Sequence, residues 1–297
     1  MKNAVLLSFV AFLLTGCLKQ KYPTGTSSAQ SNTIKGAIVM RDWHGKALEK
    51  PEAHVLAQFL KSSDNRTVQS PGLKRPLLVR EKRGIDQTTQ CEVIREPKKT
   101  SSRDTVEQML SVGKILFGTN SNDLTALTEG NNHLYSLSLQ SNFSAGIYLA
   151  SIEGTTTTPA FAVKMSMPER MSHALVAGQE FESSATAFRK DEPLRLSWDA
   201  PQGDLDLKIN QMELEVVSEN DKEIISLICV SMEKDLLTSN QTAEWEIPTN
   251  YLQTLNATPQ GLVILKRGQW MRASSPEIGV VSFEGVRIYA APALIAE

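Results

Sequence analysis

Four histidines are the side chains best suited to acid-base or metal chemistry in this chain: His44, His54, His133 and His173. No two of them stand two or four positions apart, the spacing by which zinc ligands usually reveal themselves. We therefore expect no metal site and no cofactor.

Motifs for nucleophilic or phosphate chemistry are also missing. The sequence has no Gly-x-Ser-x-Gly elbow, no Gly-x-x-x-x-Gly-Lys loop and no Gly-x-Gly-x-x-Gly turn. No catalytic residue is assigned, and we expect a protein that is not an enzyme. A hydrolase whose site the sequence does not reveal stays open as a third reading, because a triad is recognised by its geometry.

A basic stretch offers a binding function instead. Its lysines and arginines surround three prolines, with few acids between them: Lys74, Arg75, Arg80, Lys82, Arg83, Lys98 and Lys99. Such a stretch can bind an anionic glycolipid or an acidic envelope protein. The alternative is an edge strand and a loop that the charges keep soluble and unpaired.

Tryptophans provide a second possible contact surface. Trp198 and Trp245 fall inside strand patterns and are expected in a core, whereas Trp43 and Trp270 stand in turn-rich surroundings. Aromatic faces stack on sugar rings, so Trp43 and Trp270 are candidate glycan contacts.

Short segments of strand character must position all these side chains. They are separated by turn residues and show no long helical period; the clearest run over residues 34–40, 54–60, 90–94, 134–139, 146–150, 161–167, 194–199, 212–217, 224–230, 261–267 and 280–289. This pattern predicts an all-β protein of two antiparallel β-sandwich domains, with one or two short helical turns, one of them after Pro248.

Length and charge suggest where the domains divide. The roughly 280 residues that follow residue 16 exceed what one core usually holds, so we expect domain 1 over residues 34–166 and domain 2 over residues 167–297. Residues 33–166 carry 17 basic and 13 acidic side chains, and residues 167–297 carry 11 and 20. The opposite net charges can attract different partners.

Two cysteines, Cys91 and Cys229, lie in strand-like runs of different predicted domains. A disulfide needs Cα atoms within about 7 Å. We therefore expect two buried, unpaired thiols, with pairing as the alternative.

The N-terminus carries an export signal. Lys2 precedes an apolar run of about eleven residues, too short to span a bilayer of about 30 Å. The run closes on Leu14-Thr15-Gly16-Cys17, which resembles the lipobox of bacterial lipoproteins. The resemblance implies a signal peptide over residues 1–16 and a lipid-modified Cys17. Residues 18–32 are rich in Lys, Pro, Thr, Ser and Gln with almost no apolar content, which predicts a flexible linker over residues 17–33. By the resemblance, Leu18 after the cysteine favours the outer membrane, on a face that the sequence leaves open.

The body has a resemblance of its own. Residues 194–201 follow a Leu-x-Leu-x-Trp pattern with an Asp-x-Pro turn, which looks like the start of an immunoglobulin-like or fibronectin type III module. The order of strands is similar to two-domain β-rich bacterial envelope lipoproteins, whose members carry no known activity. The expected function is a non-catalytic interaction or assembly module, with carbohydrate or peptidoglycan binding as the alternative. We expect no nucleic-acid partner for an exported chain with a net charge of −2.

Overall fold

The computed structural model describes residues 33–44, 52–62, 89–97, 109–181, 185–200, 210–238, 242–275 and 279–297. Strands dominate these residues: β1 (Thr33–His44), β2 (Glu52–Ser62), β3 (Thr89–Pro97), β4 (Ile115–Gly118), β5 (Thr125–Ala126), β6 (Thr128–Glu129), β7 (Tyr135–Leu139), β8 (Gly146–Ile152), β9 (Phe161–Met167), β10 (Leu175–Val176), β11 (Gln179–Glu180), β12 (Thr186–Arg189), β13 (Leu194–Asp199), β14 (Gln211–Glu219), β15 (Glu223–Met232), β16 (Thr242–Ile247), β17 (Thr258–Ser275) and β18 (Gly279–Ala296). Within the described ranges one α-helix, α1 (Thr249–Leu252), begins after Pro248, as expected. The prediction of a mostly β protein is confirmed.

The strands form one large sheet and two small ones. The large sheet has ten strands in the order β3-β15-β14-β17-β18-β1-β2-β7-β6, with β12 also paired to β18. The small sheets have the orders β11-β10-β13-β16 and β5-β4-β8-β9.

The large sheet is mixed where a fully antiparallel one was expected. β18 runs antiparallel to β17 but parallel to both β1 and β12. The physical reason for the miss is that alternating apolar residues look the same in parallel and antiparallel strands when one face is buried.

Two hydrophobic clusters each combine buried residues of the large sheet with buried residues of one small sheet. The first joins β1, β2 and β7 to the sheet of β4, β8 and β9. The second joins β14, β15, β17 and the end of β18 to the sheet of β10, β13 and β16, with Trp198 and Trp245 buried in it.

The clusters do not divide cleanly at residue 167, where domain 2 was expected to begin, because Met167 itself packs into the first cluster. β3 comes from the first half but pairs with β15 beside the second cluster, and Val281 and Phe283 of β18 pack into the first. Residues 32–297 form one compact unit, and the two-domain division stays a prediction.

The position of β3 overturns the expectation of unpaired thiols. Cys91 and Cys229 are register partners on β3 and β15, and they form a disulfide with a Cα–Cα distance of 4.0 Å. That expectation was wrong because it assigned the two cysteines to separate domains.

Among the residues described above, no helix is long and apolar enough to cross a membrane.

Candidate functional site

Two buried arginines lie side by side where the two hydrophobic clusters meet. Arg267 on β17 and Arg287 on β18 are register partners, so both side chains leave the same face of the sheet. Their exposed fractions are 0% and 1%. Like charges placed opposite each other destabilise a sheet unless each is compensated, and here each arginine has its own carboxylate.

Glu233 compensates Arg267. Its Oε2 accepts hydrogen bonds from Arg267 Nε at 2.9 Å and from Asn210 Nδ2 at 2.7 Å. Its Oε1 accepts one from Trp198 Nε1 at 2.8 Å. Three donors therefore hold this buried carboxylate in place, which offsets the cost of removing it from water.

Asp42 compensates Arg287 with fewer contacts. Arg287 Nη1 donates to Asp42 Oδ2 and, at 2.9 Å, to the carbonyl oxygen of Phe143. Asp42 Oδ1 has no hydrogen-bond partner among the described residues. Burial lowers the pKa of Arg287 from its usual value, and the charge of Asp42 opposes part of that shift.

The arginines also hold the segment that connects the two halves. Arg287 Nε donates to the carbonyl oxygen of Pro168, and Arg267 Nη1 donates to that of Glu169, both at 2.9 Å. Tyr289 Oη accepts a hydrogen bond from the backbone N–H of Met171 at 2.8 Å. We call Asp42, Glu233, Arg267 and Arg287 the arginine junction. It fixes the crossover from β9 into the second half.

His44 lies at the edge of this junction. Its ring stacks on that of Tyr289 with a centroid distance of 5.2 Å. His44 Nε2 is 3.2 Å from Asp42 Oδ2, but the two groups are not aligned for a hydrogen bond. Because His44 and Asp42 are both buried, the junction is a structural site rather than a surface open to substrate.

The other three histidines each contact a carboxylate near the surface. His133 Nδ1 is 2.5 Å from Glu129 Oε1, and His173 Nδ1 is 2.7 Å from Asp199 Oδ2. The hydrogen bond from His133 lowers the pKa of Glu129. The hydrogen bond to Asp199 raises the pKa of His173.

His54 differs because both of its ring nitrogens are engaged. Nε2 lies 3.2 Å from Glu52 Oε2, and Nδ1 lies 3.1 Å from Ser138 Oγ. Glu52 and His54 are two positions apart on β2 and so share a face, and Ser138 on β7 is the register partner of His54. The spacing of the histidines alone does not reveal this cluster. The sequence signal for it is a carboxylate two positions before a histidine in a strand.

A buried lysine occupies the opposite face of the large sheet from the junction. Lys266 Nζ donates to Glu213 Oε1 at 2.6 Å and to Glu215 Oε2 at 3.2 Å. Burial alone would lower the pKa of Lys266, but the two carboxylates outweigh it and raise that pKa. Since the excess negative charge keeps the lysine protonated, it is not a candidate general base.

A groove of ≈ 680 Å³ opens beside β12. Ala187, Phe188 and Arg189 form one wall; the turn at Ala177 and Gly178 and the side chain of Arg195 lie across it. β12 pairs only with β18 among the described strands, so its other edge faces this groove.

The protein-family models and the curated proteins give no match to this chain. The assignment of a site therefore depends on the geometry of its own residues. No group of three or more histidine, cysteine, aspartate or glutamate side chains in the described ranges is arranged to hold a metal ion.

Most residues singled out from sequence lie outside the described part. These are Cys17 and the whole basic stretch of Lys74, Arg75, Arg80, Lys82, Arg83, Lys98 and Lys99.

Trp43 and Trp270 are described, but they lie within β1 and β17 rather than in turns. Both leave the face of the sheet that carries Lys266, and Val286 and Ile288 between them are 1% exposed. The strip between the two tryptophans is thus not an open platform.

Proposed function

We propose that this chain is a lipid-anchored interaction module of a bacterial cell envelope, which binds an extended segment of a partner protein along the edge of β12 that no described strand covers. The lipobox at Cys17 supports the anchor. The Cys91–Cys229 disulfide supports export, because such bonds persist in oxidising compartments. The observation that carries the binding function is the edge of β12 in the groove, which pairs with no other strand of the described part of the chain.

Backbone geometry defines what this edge can bind. Lys190 N–H donates to the carbonyl oxygen of Ala296 at 3.1 Å, and Ala187 is the register partner of Leu294. In a parallel pair, residues alternate between bonding to the neighbour and facing away. The N–H and C=O groups of Ala187 and Arg189 therefore face the groove, where an added strand can pair with them.

Charge indicates the chemistry of the partner. Arg189 is bound by Asp191 at 2.8 and 2.7 Å, and Arg195 by Glu246 at 3.0 Å. Because Asp191 and Glu246 already neutralise the two guanidinium groups, the rim keeps only the single negative charge of Glu192. The partner is a segment of low net charge recognised through its backbone.

The test places a photo-reactive amino acid at Arg195, whose side chain is 77% exposed, in cells that make the full chain. A matched control carries the same group at Ile147, exposed on the first half. A second variant adds Ala187→Pro, which removes a groove-facing N–H and no bond to β18. The proposal expects an adduct from Arg195 only, mapped to one partner segment and lost with Ala187→Pro. An adduct that survives the proline, or no adduct, rules out strand addition here.

The anchor is tested separately. Cys17→Ser should move the protein from the membrane fraction to the soluble fraction and remove the acyl mass from its N-terminal peptide. Unchanged fractionation would contradict the lipid anchor without affecting the groove.

A further inference from the structure

The Glu52, His54 and Ser138 cluster has the connectivity of a nucleophile, a base and an acid. One tautomer satisfies both contacts. With the proton on Nε2, His54 donates to Glu52 Oε2, while its bare Nδ1 accepts from Ser138 Oγ. A hydroxyl whose proton already points at a base, which a carboxylate orients in turn, is the arrangement that activates a serine.

The order of the three groups separates this cluster from the other histidine sites. At His133 the carboxylate of Glu129 also interacts with Ser111 and Tyr135, so the acid rather than the histidine occupies the centre. His173 has a carboxylate on Nδ1. Among the described histidines, only His54 bridges a hydroxyl and a carboxylate, as general-base catalysis requires.

The surroundings of the cluster favour reaction at the surface. His54 and Glu52 side chains are 31% and 59% exposed, and Ser138 is exposed. Arg41 on β1 is the register partner of His54 on the side away from Ser138, and Trp43 is the partner of Glu52. Burial lowers the pKa of Arg41 to about 10, with Glu284 opposing the shift. Arg41 is itself buried and interacts with Glu284, so it has no assigned part in the reaction.

We propose that Ser138, His54 and Glu52 form a catalytic site that hydrolyses small carboxylic esters. Ser138 Oγ attacks the carbonyl carbon, and its proton passes to His54 Nδ1. The intermediate collapses with cleavage of the bond to the alcohol oxygen, and the alcohol leaves with that proton. Water then attacks the acyl-serine and gives its proton to Nδ1. Cleavage of the bond to Ser138 releases the acid, and Ser138 regains the proton.

Glu52 acts without covalent change. Its Oε2 accepts the hydrogen bond from Nε2–H and stabilises the imidazolium, as the acid of such triads does. This activity goes beyond the proposed binding function and uses no residue of the β12 groove, so either can fail without the other.

The experiment reacts the full-length protein in membranes with a fluorophosphonate probe and measures hydrolysis of p-nitrophenyl acetate. Mass spectrometry should find the probe on Ser138, and Ser138→Ala should abolish labelling. His54→Gln should slow both labelling and hydrolysis about 100-fold or more, and Glu52→Gln should slow them less. Ser136→Ala and His173→Gln are matched controls that should leave both rates unchanged, because Ser136 lies two positions along the same strand and His173 lacks a serine.

The folded state of each variant is checked by its Cys91–Cys229 disulfide on a non-reducing gel. No labelling of the wild type, labelling elsewhere than Ser138, or equal rates in the Ser136→Ala and Ser138→Ala variants would overturn the proposal.

Discussion

Glu233 and Asp42 each neutralise a buried arginine of the junction, but Glu233 receives more hydrogen bonds than Asp42. Glu233 receives three hydrogen bonds from side-chain donors, whereas Asp42 is held through one oxygen and its Oδ1 has no hydrogen bond among the described residues. Arg287 compensates by donating to two backbone carbonyls, those of Phe143 and Pro168. The Arg267 side is therefore held mainly by the hydrogen bonds to the Glu233 carboxylate. The Asp42 side is held mainly by the hydrogen bonds that Arg287 donates.

Removing the carboxylates should give the largest effects and should separate the two sides. Glu233→Ala leaves Arg267 buried without its counter-ion and frees two further donors, so we expect it to lower the free energy of unfolding by about 3–5 kcal/mol. Asp42→Ala should cost less, because Arg287 keeps both carbonyls. Urea unfolding measures the free energy of unfolding of both variants. An equal or larger loss for Asp42→Ala would contradict the difference between the two sides.

The disulfide on the Glu233 side should contribute nearly as much to the free energy of unfolding. The disulfide joins edge strand β3 to β15, and its removal by the double substitution Cys91→Ser and Cys229→Ser should lower stability by about 2–4 kcal/mol. Thermal unfolding of the oxidised and substituted proteins checks this value. Equal midpoints, or no mobility shift on reduction in a gel, would show that β3 is not held by this bond.

The crossover on the Asp42 side can be disturbed without touching a charge. A Cβ atom on Gly285 would lie 2.0 Å from the carbonyl oxygen of Ser166, at the end of β9. Gly285→Ala should therefore push β9 away from β18 and cost about 1–3 kcal/mol. Gly130→Ala is the control, since its Cβ would meet only an ordinary contact at 3.4 Å. Equal stability of the two variants would mean that the crossover packs less closely than described.

The exposed ion pair of His173 and Asp199 should give the smallest effect. The pKa of His173 is raised above its usual value of 6.5 by Asp199. The pair therefore stabilises the fold fully below the unfolded pKa, and the contribution is lost as pH rises through the folded pKa. NMR titration should place the His173 midpoint above that of the Asp199→Asn variant. Coinciding midpoints would show that the pair does not form in solution.

The sequence predicted where the strands lie better than it predicted which strands pair with each other. Alternation identified β13 and β9 because one face of each is buried, and Trp198 and Trp245 were correctly expected in a core. It did not reveal that β3 crosses to the second cluster or that β1 runs parallel to β18. Those pairings join residues far apart in the chain, and local periodicity contains no information about them.

The arginine junction has a sequence signal of its own, which indicates a buried ion pair. Arg267 and Arg287 fall in phase with Leu265 and Tyr289 on the inward face of their strands. A charged residue at an inward position of a strand indicates a buried ion pair, but the partners Glu233 and Asp42 could not be chosen from sequence. The Ser138 contact of His54 is equally non-local, since 84 positions separate them.

Hydrogen exchange of the intact protein tests most directly whether the junction joins the two halves. Peptides from β8 in the first cluster and from β13 in the second report the opening of each half. If the junction joins the halves, both strands have the same opening free energy in the wild type and separate values in the double variant Asp42→Ala, Glu233→Ala. Different opening free energies for β8 and β13 in the wild type would contradict it, because the halves would then unfold independently across an intact junction.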